Sequence, residues 1–260
     1  MSNSPENQEH NSNILLAMPL LRDDKVDFNR IINRLRTYWR ATVTLSEDND
    51  NEVSDTVIVF DVNDQMVALA LMPGQVPLEE LTTLYPYAFL WPEAEKEVPQ
   101  HKTHVIVSIM SDNAPALERY MVLTKVIESV LAETNSLGLY QGNQSLLVDT
   151  ETYLGMAQAL MEDSLPFLLW VFVGLRGSDD GNSLYTYGMD DFGKLEMEII
   201  DSKQEMEELF DFLINIGCYV INGDVTFQAG ETLGYTESKD ARIEISPGHF
   251  LEGNTIKIVM

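Results

Sequence analysis

The chain has 260 residues, 45% of them apolar, and carries 16 basic against 42 acidic side chains for a formal charge of −26. That is enough apolar material for one large domain or two smaller ones, so the charge does not mean global disorder. It excludes DNA, RNA and anionic lipid as general partners, since each needs cationic contacts.

Residues 1–13, MSNSPENQEHNSN, hold no apolar run and no basic leading segment, which predicts a disordered tail and not a signal peptide. ILLAMPLL (14–21) reads as a first strand. In 27–39, Phe28, Ile31, Ile32, Leu35 and Trp39 recur at helical spacing behind Asp27, a suitable N-cap, with the arginines falling away from that face. ATVTL, DTVIVFDV and QMVALALM read as strands, the last two joined by an Asn-Asp turn. The stretch 78–97 is helical in places but broken by Pro86 and Pro92, and HVIVSIM (104–110) is a strand. The clearest helix is 114–134, with Leu117, Met121, Thr124, Ile127 and Leu131 along one stripe. A turn-rich GLYQGNQSLLVD precedes a helix over 150–162.

The texture changes near Asp163–Pro166, which places a soft boundary there and divides the chain into 14–163 and 164–260. The longest apolar run, LPFLLWVFVGL (165–175), is too short to span a bilayer and reads as a buried strand. Strands over 183–188 and 194–200, a helix over 203–221, the short segments DVTF and ARIEI, and a closing hairpin follow. Strands in groups with helices between them indicate an α+β fold with mixed or antiparallel sheets and packed helices, in two subdomains or one large domain. With neither export signal nor span, the expected location is the cytoplasm.

Charge is uneven. Residues 46–64 contain seven acidic groups and no basic one, and 178–211 contain eleven against Lys194 and Lys203, whereas 22–40 hold six of the sixteen cations. Strong acidic faces and one basic corner follow. A basic protein is the natural complement, although solubility alone is the commoner reason for such a charge.

The stretch YTYGMDDFGKLEMEI (185–199) draws most attention. Strand alternation puts Tyr185 and Tyr187 on one face and Thr186 on the other; Leu195, Met197 and Ile199 then oppose Glu196 and Glu198, the pattern of a strand with one wet face. The tyrosines are core residues with rim hydroxyls on the plainer reading, and an aromatic edge gripping an Arg- or Lys-rich partner on the functional one. Together with GDVTFQAGETLGYTE and LEGNTIKI, the stretch resembles the bacterial family catalogued as domain of unknown function 4261, over roughly 165–260. The resemblance rests on Tyr-Gly-Met, Phe-Gly-Lys and Glu-Gly-Asn. It implies a bacterial cytosolic protein and, by association, a role alongside toxin systems; the family supplies no catalytic residues to carry over.

Catalytic signatures are missing from the sequence. There is no phosphate-binding glycine loop, no dinucleotide turn and no nucleophile elbow. His101 and His104 form H-x-x-H where a strand begins, which turns the two apart and suggests surface histidines; His10 and His249 fall in the tail and a hairpin loop. The single cysteine, Cys218, excludes an intrachain disulfide and lies in an apolar helix as a small hydrophobe. DNDNEVSD (48–55) lacks the glycine and glutamate of a calcium loop. No cofactor or metal is expected. The expectation is a binding protein without catalysis, in its sharpest form an immunity protein that covers a basic toxin. Its surface would be Tyr185, Tyr187, Asp190, Asp191, Glu196 and Glu198 with the acidic loop of Glu47, Asp48, Asp50, Glu52 and Asp55. An enzyme with an unfamiliar site using the histidines or carboxylates, and a self-associating housekeeping protein, are the alternatives.

Overall fold

The computed structural model describes residues 14–45, 56–111, 113–236 and 239–260, so the expected tail lies outside it. The fold is α+β, with two sheets and six α-helices among the described residues.

The first sheet contains β1 (Leu15–Leu21), β2 (Val43–Leu45), β3 (Val57–Val62), β4 (Gln65–Pro73), β5 (Thr103–Ile109), β6 (Ser136–Gln141) and β7 (Leu146–Asp149). Their order is β2-β3-β4-β5-β1-β6-β7, and all neighbours are antiparallel. The β3–β4 hairpin turns on Asn63 and Asp64, at φ 50° and 63°; a two-residue turn of this hand needs positive φ at both positions, which Asn and Asp tolerate best. Helices α1 (Phe28–Thr37) and α4 (Ala116–Glu133) pack together, and α4 lies on β1, β5 and β6. Asp27 caps α1 as expected, accepting from the Asn29 N–H at 3.0 Å. On the other face of β1 and β7, Leu20 and Leu147 join a second cluster with Val76, Leu81, Trp91 and Val98 from the segment that carries α2 (Leu78–Thr82) and α3 (Ala94–Glu97).

The second sheet contains β8 (Phe172–Ser178), β9 (Gly181–Tyr187), β10 (Met197–Ser202), β11 (Thr232–Thr236), β12 (Lys239–Pro247) and β13 (Asn254–Val259), in the order β11-β12-β13-β10-β9-β8. Only β10 and β13 run parallel. Helix α5 (Thr150–Ala157) follows the first sheet and α6 (Met206–Asn222) packs on β9. One continuous hydrophobic cluster runs from Leu15 through α4 to Ile258, crossing the change of texture at 163–166.

Three elements depart from the sequence reading. The turn-rich stretch after α4 is the β6–β7 hairpin, whose residues are buried on both faces and so show no alternation. The strand expected in the apolar run 165–175 begins only at Phe172, because Phe167–Leu169 form a 3-10 turn that seats Phe167 against Gly217 of α6; a Cβ on that glycine would lie 2.3 Å from the ring. Helix α4 has no single apolar stripe. It is buried nearly all round, while Leu117 and Met121 are only partly covered.

Two of the six cations of the basic corner are paired with carboxylates. Arg34 meets Glu128 with two parallel hydrogen bonds, Nε to Oε2 at 3.0 Å and Nη2 to Oε1 at 2.5 Å, and the Trp39 indole donates to the same carboxylate at 2.7 Å. Arg30 pairs with Glu133 at 2.7 Å.

His101 is fully buried rather than at the surface. The Val76 N–H donates to its Nε2 at 2.9 Å, which leaves the proton on Nδ1, donated to the Val98 carbonyl at 2.5 Å. Burial lowers its pKa and His104 lowers it further, against the raising effect of the Val98 bond. The unfolded chain therefore binds the proton more readily than the folded one below the ordinary histidine value, so stability falls as pH drops below about 6.5. Urea midpoints measured at pH 7 and pH 5 should show this loss, and His101→Gln, destabilised at pH 7, should lose less between the two pH values than the parent chain.

Candidate functional site

The β8–β9 hairpin places its aromatics by pairing. Tyr185 lies opposite Gly174 in the register, and its ring covers the space a side chain would take, since a Cβ on Gly174 would come within 2.1 Å of the ring. Phe172 packs edge-on at 6.2 Å between centroids, and Phe250, from the loop between β12 and β13, lies tilted against Tyr185 at 5.3 Å. The Arg176 guanidinium, on β8, sits over the Phe250 ring at 5.2 Å.

These residues form one side of a groove of about 310 Å³. Phe172, Tyr185, Tyr187 and Leu251 line it from the second sheet, Leu84 and Tyr87 from the segment after α2, and Ser145 from the β6–β7 turn. Tyr87 is 57% exposed and Tyr187 41%, so both stand on the rim, while Tyr185 is half-buried in the floor. Among the described residues that line the groove, Arg176 is the one charged side chain. Ser145 holds a left-handed φ of 54°, a conformation that costs a non-glycine residue about 1 kcal/mol or more.

The expected surface residues do not stay together. Tyr185 and Tyr187 meet in the groove. Asp190 is exposed but lines a separate cavity of about 300 Å³ with Lys194, Val220 and Phe227. Asp191 points inward, where Tyr120 Oη and Gln144 Nε2 both donate to its Oδ2. Glu196 caps the 3-10 turn Met189–Phe192: its Oε1 accepts from the N–H groups of Gly188 and Met189 at 2.7 and 2.9 Å, and Oε2 accepts from the Thr186 hydroxyl at 2.6 Å. Burial raises its pKa against those three bonds, with Asp190 adding to the rise.

Glu198 is completely buried. The expected wet face of β10 is covered by the β12–β13 loop, whose His249 and Phe250 N–H groups donate to the carboxylate at distances down to 2.8 Å. Thr255 Oγ1 donates at 2.8 Å and Lys257 Nζ lies 2.7 Å away. Burial opposes its ionisation, but Lys257 and these donors prevail and hold its pKa below the ordinary glutamate value. Glu196 and Glu198 are therefore structural groups, corrected from the exposed positions that alternation suggested. Glu47, Asp48, Asp50, Glu52 and Asp55 lie outside the described residues.

The groove residues overlooked in the sequence are Tyr87, Phe172, Arg176 and Leu251. Only Arg176 left a signal: it is the sole basic residue between Lys125 and Lys194. Elsewhere, Cys218 is half-buried and burial raises its thiol pKa, which disfavours the thiolate. Among the described residues no three His, Cys, Asp or Glu side chains converge as metal ligands, and no described helix is long and apolar enough to cross a membrane.

Residues 185–259 match the family described as "Domain of unknown function (DUF4261)". The matched segment begins at Tyr185 and takes in β10, α6 and the closing hairpin that carries Phe250. No curated protein and no solved structure matches the chain.

Removing the Glu198 charge leaves Lys257 buried without its counter-ion, so Glu198→Gln should cost about 3–5 kcal/mol in urea unfolding. Gly174→Ala, which forces Tyr185 off its seat, should cost about 1–3 kcal/mol. A parent-like urea midpoint for Gly174→Ala would show that the ring can move freely, contrary to the packing described.

Proposed function

We propose that the protein works by binding and not by catalysis, as a bacterial cytosolic receptor for a net-basic protein partner. An immunity protein that covers a toxin is the sharpest form of this reading. The observation that carries it is the pair of rim tyrosines, Tyr87 and Tyr187, exposed on either side of a groove with a packed floor in a chain of charge −26. Large amphipathic rings held on rigid elements lose little entropy when buried, which is why Tyr is enriched among residues that dominate binding energy. The surrounding negative field would accelerate the approach of a basic partner and weaken with salt. The carboxylates available for that work are the outward ones, such as Asp179, Asp180 and Asp190, and not Asp191, Glu196 or Glu198.

The test is capture from the native lysate at low and moderate salt, comparing the parent chain with a Tyr87→Ala/Tyr187→Ala variant. A stoichiometric basic protein, held less well as salt rises and at least about tenfold less well by the variant, is expected. Equal capture by both chains would remove the groove from the interface, and no partner at either salt would remove the reading.

A further inference from the structure

We infer that the groove is a binding site for a small aromatic carboxylate, whose ring lies among the tyrosines and whose acid group pairs with Arg176. This goes beyond the protein-partner reading and does not rest on it.

The argument begins with charge. Acidic side chains outnumber basic ones 42 to 16, yet among the described residues the groove is lined by one cation and no carboxylate. The guanidinium makes no hydrogen bond or ion pair among the described residues, and its one recorded contact is the Phe250 ring. Contact with a ring leaves the five guanidinium N–H donors without an oxygen acceptor. A carboxylate, like a phosphate, meets two parallel N–H donors with its charge; a neutral group does so less strongly and a cationic group not at all.

The rest of the lining specifies the body of the ligand. Tyr185, Tyr187, Tyr87 and Phe172 present aromatic surface, which favours a flat, apolar group over a flexible polar chain. At about 30 Å³ for each water-sized group, the volume admits roughly ten such groups, an aromatic ring with a short acid arm. The Ser145 and Thr83 hydroxyls at the margin can meet a polar substituent on the ring. The same acid-on-a-ring chemistry occurs at the carboxyl terminus of a peptide ending in Tyr or Phe; the modest volume favours the free small molecule.

The experiment is calorimetric titration of the purified full chain at about 0.15 M salt, where the repulsion between an anion and the acidic surface is screened beyond roughly 8 Å. The probes are 4-hydroxyphenylacetate, its neutral amide, the amine tyramine, and acetyl-Gly-Gly-Tyr with a free carboxyl terminus. The acid should bind saturably at one site, with the amide and the amine at least about tenfold weaker, since the charged hydrogen bonds are lost. Arg176→Gln should lose the same factor while keeping its thermal midpoint to within a few degrees, because the side chain is exposed and the contact it gives up, with the Phe250 ring, is a weak one at such a site. Tyr187→Ala should weaken the acid without restoring the amide.

Absence of saturable binding by the acid would overturn the assignment. So would equal binding of acid and amide, or undiminished binding by Arg176→Gln. Peptide binding tighter than the small acid would overturn it in favour of a partner's carboxyl terminus. Because the titration uses only purified chain and the capture experiment uses lysate, either reading can fail while the other stands.

Discussion

A carboxylate with no access to water organises the C-terminal sheet. Glu198 on β10 collects the Lys257 ammonium, two backbone N–H groups and the Thr255 hydroxyl. Burying the charge is costly, and the arrangement holds only because every strong acceptor position finds a donor. Those donors come from β13 and from the loop before it, so the ion pair links the parallel β10–β13 seam to the loop that crosses it. That loop carries Phe250, which supports both Tyr185 and Arg176, and Leu251, which lines the groove. The groove wall therefore depends on a residue that never reaches it.

The two sheets are joined with equal economy of residues. Tyr120 of α4 and Gln144 of the β6–β7 turn both donate to Asp191, and Tyr120, Trp170 and Phe192 stack with centroids 4.7–5.9 Å apart. Trp170 also donates to Thr124, one helical turn beyond Tyr120. The Met189–Phe192 turn thus holds the second sheet onto the helix that fills the first. Gly188 permits it: with φ at 118°, it adopts a conformation that side chains resist, and the chain then turns back so that Asp191 and Phe192 face α4. Of the Asp190-Asp191 pair, which suggested a surface for a partner, the second member turns toward Tyr120 and Gln144.

How much of this was legible depends on whether a residue's neighbours lie close in sequence. The α1 cap, the Asn63-Asp64 turn and the alternation in β3, β4 and β5 follow from local rules, and the structure repeats them. Sharing a face was also readable: Tyr185 and Tyr187 do lie together, and Thr186 does face the other way. Alternation could not show what covers a face. Glu198 alternates like an exposed residue but meets a loop fifty residues onward, and His101 is buried by a segment twenty-five residues earlier. The β6–β7 hairpin was lost for the opposite reason, since strands covered on both sides have no alternation to read.

Net charge was the loudest property of the sequence, and the structure divides its influence by distance. At physiological salt, exposed charges act on a partner over roughly 8 Å, so the surplus of carboxylates shapes approach and selects the sign of what arrives. Inside the groove the balance differs, because the described lining holds one guanidinium, set over Phe250, and no carboxylate. A group seated there is governed by that local cation and by aromatic contact, even while the molecule as a whole repels anions. On the two proposed readings, such a division would let one surface attract a basic macromolecule by its field and still discriminate, at the point of contact, in favour of an acid. A net charge of −26 is a sum, and what a groove can hold depends on the few side chains that remain when the rest are turned inward, paired or too distant to matter.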